Sequence, residues 1–287
     1  MSDLSTTTGD IFRLYRWRLA LTYSVTAVEN LLEVLYPLMI GIAIDGLLDG
    51  EPASLLPFIL TWVIHALLSA ARQLYDARTF ARIYHQLASG VVTAQGKQGV
   101  TTSHLAARSG LMREFVDYLE ADIPFIIAIL ISFVGAFVLL VLFDFVIGAY
   151  CLLMLIPSFL LNRMHSRTTR RLNRGLNDDL EREITVIETR DSLRIDEHFG
   201  RVSRWYIRLS HADVRAWLLI QPFFIGLIVL ALARSVSLNM EPGYIFAVVA
   251  YALRFTDSLD QAPLIVQQYS RLQDITERIN SGGVTAE

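Results

Sequence analysis

The sequence predicts an all-α integral membrane protein: six transmembrane helices with long helical extensions on the cytoplasmic side. Three observations predict it. Six apolar stretches recur along the 287 residues. Basic residues gather on one side of those stretches only. Two of the connectors between them are too long for turns and are arginine-rich and compatible with helix.

Composition agrees. Apolar residues make up 53% and charged residues 18%, against roughly 25% charged in a soluble domain, and the mean hydropathy is +0.43. The net charge of −3 argues against a nucleic-acid partner, which needs a basic surface. The single cysteine, Cys151, lies inside an apolar run, so no disulfide framework or cysteine-based metal site can be built. Residues 1–10 are polar, with two aspartates and no basic residue, and no cleaved signal is expected from them.

A bilayer core of about 30 Å requires roughly 20 mostly apolar helical residues. The first span runs from Leu19 to Ile44, with Pro37 expected to kink it. The second runs from Leu55 to Ala71. The third, Pro124 to Phe143, and the fourth, Phe145 to Leu161, are separated only by Asp144, which implies a tight hairpin, because the joined run is too long for one crossing. The fifth is Ala216 to Ala233. The sixth starts near Gly243 and turns polar after Leu253. Pro157 and Pro263 are further candidates for kinks.

Arginine distribution sets the orientation. The loops Asp45–Ser54, Asp144 and Ser235–Pro242 contain no Lys or Arg, although Arg234 lies at the edge of the last. The opposite side carries Arg13, Arg16 and Arg18, then Arg78, Arg82, Lys97, Arg108 and Arg113, then twelve arginines from Arg163 to Arg215, and finally Arg271 and Arg278. Both termini are therefore expected in the cytoplasm.

Residues 79–122 and 162–215 exceed ordinary connections between bundle helices. The second has Leu172, Leu176, Leu180, Ile184 and Ile187 at helical spacing and no proline. Folded as two antiparallel helices, about 27 residues each reach roughly 40 Å. The alternative, a small separate cytoplasmic domain, would need turn-rich segmentation that neither connector shows.

Several short motifs then fall in a recognisable order. Tyr36-Pro-Leu-Met-Ile-Gly-Ile-Ala-Ile-Asp45 closes the first span, and Arg113 and Asp117 frame an Arg-x-x-x-Asp element before the third. Glu188-Thr-Arg-Asp-Ser-Leu-Arg194 lies in the second connector. Glu241-Pro-Gly-Tyr244 opens the sixth span, and Arg278-Ile279 lies near the end. In this order the chain resembles the six-helix transmembrane domain of ABC exporters of the type IV, multidrug-exporter-like kind. The resemblance covers roughly residues 11–279, between a polar N-terminal tail (1–10) and a C-terminal tail (280–287). It implies coupling segments that face an ATP-binding cassette. These are Thr101–Arg108, with Thr101, His104 and Arg108, and Arg190–His198, with Arg190, Asp191 and Arg194.

The departure from that family concerns the motor. A phosphate-binding loop needs Gly-x-x-x-x-Gly-Lys-Ser/Thr, whose amides and lysine cradle the phosphates. The one lysine, Lys97, follows Gly96, but Val91 occupies the first glycine position and Gln98 follows. The chain stops where a fused ATPase domain would begin. Any ATP is therefore expected on a partner subunit, and this chain is expected to carry no cofactor of its own.

Ionisable residues inside a span are costly, and function is their default reading. Glu29 and Glu33 are one turn apart on one face of the first span, and Tyr36 continues that face. In the sixth, Arg254, Asp257 or Ser258, Gln261, Ile265 and Gln268 follow helical spacing and form a polar stripe. In the functional reading Glu29, Glu33, Tyr36, Arg254, Asp257 and Gln261 line a substrate or ion pathway. In the structural reading Glu29 or Glu33 pairs with Arg254 or Arg72 and holds the bundle together; both stay open at the level of sequence. Arg72 and Asp76, an i, i+4 pair near the cytoplasmic end of the second span, read as structural.

The six histidines do not cluster at metal-ligand spacing, and no serine sits in a nucleophile elbow, so no enzyme active site or metal centre is expected. The leading expectation is the membrane-spanning half of an ABC-type exporter. It would act as a homodimer in the plasma membrane, of the bacterial inner type, with ATP hydrolysis supplied by a separate ATP-binding cassette subunit. The alternatives are an ATPase-independent ion- or proton-coupled carrier or channel on the same scaffold, and a membrane regulator that transports nothing.

Overall fold

In the computed structural model residues 8–96 and 101–281 are described, the side chains of 8–12, 94, 95, 280 and 281 excepted. Lys97 and the tail residues 1–7 and 282–287 lie outside the described residues. All regular elements among those described are helical: α1 (Thr8–Val34), α2 (Tyr36–Leu48), α3 (Leu55–Gly96), α4 (Thr102–Asp117), α5 (Ile123–Phe143), α6 (Phe145–Glu181), α7 (Glu183–Glu188), α8 (Ser192–Ser237) and α9 (Pro242–Ser281). A short 3-10 turn, Pro52–Ser54, precedes α3, and a π-helical turn, Tyr118–Asp122, joins α4 to α5.

Five helical stretches have the length and apolar composition to cross a membrane. The sixth long helix, α9, has 40 residues, but Arg254, Asp257 and Asp260 interrupt its apolar run. Helix α3 continues past its apolar span to Gly96, and α6 past its own to Glu181. Pro157 and Pro263 lie within continuous helices, whereas a break separates α1 from α2 just before Pro37.

The chain divides into two compact units, residues 1–140 with 235–287, and residues 141–234. In the first, an apolar cluster gathers residues of α1, α3, α4 and α9. Phe80, Ile83, Phe115, Leu119 and Ile275 are essentially inaccessible there. Burying one such side chain contributes roughly 1.5–3 kcal/mol. Where water surrounds a fold, the hydrophobic effect holds it together. In the bilayer, packing contacts and polar pairs must do that instead.

The second unit is an antiparallel pair, α6 with the portion of α8 up to Arg234, joined through α7. At its start Asp144 alone is non-helical. Its carboxylate accepts the amides of Val146 and Ile147 at 2.8 and 3.1 Å and caps α6. Arg234 donates to the same carboxylate at 2.7 Å, and that hydrogen bond holds the acid below its usual range. Moving towards α7, Tyr150 reaches the carbonyl of Phe223 and His165 faces Asp213 at 3.4 Å. The Trp205 indole then packs over Gly175 and donates to Asp179 at 2.7 Å. That bond, with Arg201 beside it, holds the Asp179 carboxyl below its ordinary pKa. Each contact joins a residue further along α6 to one earlier in α8, so the two helices run antiparallel without a slip in register.

Candidate functional site

The site begins with a missing amide. Pro37 has no N–H, so the carbonyl of Glu33 loses its helical donor and α1 ends at Val34. No water is available within the hydrocarbon region, and the freed backbone groups must find partners in the protein. Helix α9 supplies them. Arg254 donates through Nη1 to the Glu33 carbonyl at 3.0 Å. The hydroxyl of fully buried Tyr251, one turn earlier, donates to the Val34 carbonyl at 2.7 Å and accepts from the Leu38 amide at 3.3 Å. The remaining donors of Arg254 reach the Glu33 carboxylate and Ser132 Oγ of α5, both at 2.8 Å. One guanidinium thus ties three helices together and neutralises one intramembrane acid.

Closer to the opposite end of α2, Gly41 and Gly243 let α2 and α9 touch backbone to backbone. A Cβ added to Gly243 would lie 1.9 Å from the Gly41 carbonyl oxygen. Asp45, buried beside them, accepts the Gly243 amide at 2.6 Å. It places a carboxylate at the N-terminus of α9, where the helix dipole favours negative charge. Two motifs far apart in the chain, the end of the first span and Pro242-Gly243, are therefore halves of one contact.

The other acid of the first span is served by α3. Glu29 is 8% exposed; it accepts from Arg72 Nε and, at 3.4 Å, from Nη2. Arg72 also donates to Asp76 at 2.9 Å, whose other oxygen accepts from Thr22 at 2.8 Å. On the far side of Glu29, His65 Nε2 stands 3.7 Å from the carboxylate, and His65 Nδ1 is hydrogen-bonded to the Tyr36 hydroxyl. A continuous polar chain results: Thr22, Asp76, Arg72, Glu29, His65, Tyr36.

A cavity of about 420 Å³ opens at the Tyr36 end of this chain, lined by Glu33, Tyr36, Trp62, His65, Ser69 and Gln73 among others. The rings of Tyr36 and Trp62 stack at 5.1 Å with 11° between their planes, and Phe58 meets both edge-on. Its volume suits a small organic molecule, and it combines aromatic surface with a few polar groups, as ligand sites do.

Of the residues singled out in the sequence, Glu29, Glu33, Tyr36 and Arg254 come together around this region. Asp257 is exposed and Gln261 half-buried, further along α9; among the described contacts neither joins the network. In the connectors, Thr101 and His104 are exposed and Arg108 is half-buried, in the first turns of α4. Arg190, Asp191 and Arg194 are exposed at the turn into α8. Arg190 has left-handed backbone, φ 51°, a conformation uncommon outside glycine and asparagine. Asp191 stabilises the turn by accepting the Leu193 amide at 3.0 Å.

Sequence reasoning passed over His65, Trp62, Tyr251 and Ser132. A signal existed for the first two: Trp62, His65, Ser69 and Arg72 recur at helical spacing and share one face of α3. Residues 9–240, from α1 into the loop before α9, match the family described as ABC transporter transmembrane region. No curated protein matches the chain. With the all-helical membrane fold and most of its length within that match, the chain belongs to the family of ABC transporter transmembrane regions.

Proposed function

We propose that the chain is the membrane half of an ATP-driven exporter, working as a homodimer with ATP hydrolysed by a separate cassette subunit. The observation that carries the reading is the tip of the second connector. About 20 residues of α6 beyond the apolar span extend ~30 Å from it, and the tip then presents exposed Ile184, Ile187 and Leu193. Apolar side chains at that distance from lipid call for a protein partner. Thr101, His104 and Arg108 on the first connector, with Arg190, Asp191 and Arg194 on the second, are the polar contacts proposed to surround the docked subunit. Glu29, Glu33, Tyr36, Arg254, Asp257 and Gln261 are the proposed pathway residues, the last two facing the partner copy.

Purification of the native complex in mild detergent is expected to yield an ATP-binding subunit in equal number with this chain, two of each. Ile184→Asp with Leu193→Asp should release that subunit and abolish ATP-driven transport without lowering the chain's thermal midpoint. Retention of the ATPase by the double variant, or an ATPase-free native complex that still transports, would sink the reading.

The proposed orientation places the arginine-rich connectors and both termini in the cytoplasm of a bacterial inner membrane. Single cysteines at Gly50 and Ser237 should react with an impermeant maleimide in intact cells, and one at Arg174 should not. Cys151 is buried and gives little background. Labelling at position 174 in sealed cells contradicts this topology.

A second reading, an ion- or proton-coupled carrier that needs no ATPase, draws support from the polar chain inside the membrane.

A further inference from the structure

We infer that His65 is a proton-binding site in the cavity wall, and that an aromatic organic cation entering the cavity displaces its proton. This goes beyond the transport reading and needs only the purified chain.

Glu33 is matched by Arg254 at 2.8 Å. The other network is not matched: Glu29 and Asp76 share the single guanidinium of Arg72. Two carboxylates against one cation leave one negative charge in a largely buried place, where an unbalanced charge is expensive. Histidine is the side-chain type suited to taking up a proton, and the Nε2 of His65 faces Glu29 at 3.7 Å. A proton on His65 removes the imbalance.

The hydrogen bonds permit this without rebuilding the site. With the ring neutral and Nδ1 accepting from the Tyr36 hydroxyl, the ring proton is on Nε2, directed at Glu29. A second proton taken at Nδ1 requires only that the Tyr36 hydroxyl turn from donor to acceptor. The charged and titratable groups facing the ring are Glu29 and Glu33 from α1 and Tyr36 from α2. From its own helix, Arg72 is already committed to Glu29 and Asp76.

The excess negative charge lies behind the His65 wall of the cavity, where a cation in the cavity can answer it, and the stacked Tyr36 and Trp62 add aromatic surface that attracts cations. Proton and organic cation then answer the same charge, and their occupancies oppose each other. In balance, one cation enters, the Nδ1 proton leaves to water, and His65 returns to its neutral form with Tyr36 again donating. By linkage the cation binds more weakly as pH falls, and its presence lowers the proton affinity of His65 by the same factor.

The test uses the full chain in mild detergent with tetraphenylphosphonium, which is aromatic and permanently charged. Titration calorimetry in buffers of different ionisation enthalpy counts protons. The wild type is expected to release close to one proton per cation where His65 is charged. Its affinity should fall by up to about tenfold per pH unit across the range where the ring takes up its proton. Triphenylphosphine oxide, with similar rings and no net charge, should release none. His65→Gln should abolish both the release and the pH dependence. A wild-type proton count near zero, release that persists in His65→Gln, or no binding of the cation at any pH overturns the proposal. Should the variant fail to fold, the wild-type imidazole titration followed by NMR decides. A ring that stays neutral down to pH 5, or whose titration ignores the cation, is equally fatal.

Discussion

Arg72→Met is expected to be among the most damaging single changes in the membrane part of the chain. Its side chain is 19% exposed, those of Glu29 and Asp76 11% and 8%, so the substitution strands two acids in a low-dielectric place. Breaking a buried pair by removing one partner costs about 3–5 kcal/mol. The expected result is a large drop in thermal midpoint in detergent and lower yield from membranes. Adding Glu29→Gln should recover part of the loss, because a neutral amide needs no cation. The pairing would be irrelevant to stability if Arg72→Met melted with the wild type, or if the second change made matters worse. By the same logic Glu33→Gln should be milder, since that carboxylate is 44% exposed.

Gly243→Ala should also destabilise strongly, through shape rather than charge. The new Cβ would fall 1.9 Å from the Gly41 carbonyl oxygen and 2.6 Å from Asp45 Oδ2. The first neighbour is backbone, so relief requires the α2 and α9 axes to separate. Overpacking costs typically 1–3 kcal/mol, occasionally more, and this contact belongs at the upper end. Separation would also lengthen the Asp45 to Gly243 hydrogen bond. Gly90→Ala is the control, for nothing lies within 4 Å of a Cβ there. Alanine suits a helix interior better than glycine by up to ~1 kcal/mol, and that variant should be neutral or slightly more stable. Equal thermal midpoints for the two variants would refute the close-contact argument.

Much of this protein is settled by local chemistry. Long apolar runs leave helix as the satisfied backbone in lipid. Asp144 alone between two apolar runs forces a hairpin and supplies the cap for the helix after it. Pro37 deletes one amide wherever the helix is placed, so a kink at that point follows from composition alone. Helical spacing also puts Glu29, Glu33 and Tyr36 on one face. What spacing leaves undetermined is which face of another helix meets that one. Glu29 could have met Arg254 and Glu33 could have met Arg72, and either arrangement satisfies the periodicity. Tertiary packing decided it: the Gly41 and Gly243 contact sets α9 against α2, and from there Tyr251 and Arg254 reach the orphaned carbonyls at the Pro37 kink. That leaves Arg72 to serve Glu29 and Asp76 together, one cation for two acids. The surplus charge beside His65 is a property of that three-dimensional pairing, because Coulomb balance depends on distance in space, and distance along the chain does not report it.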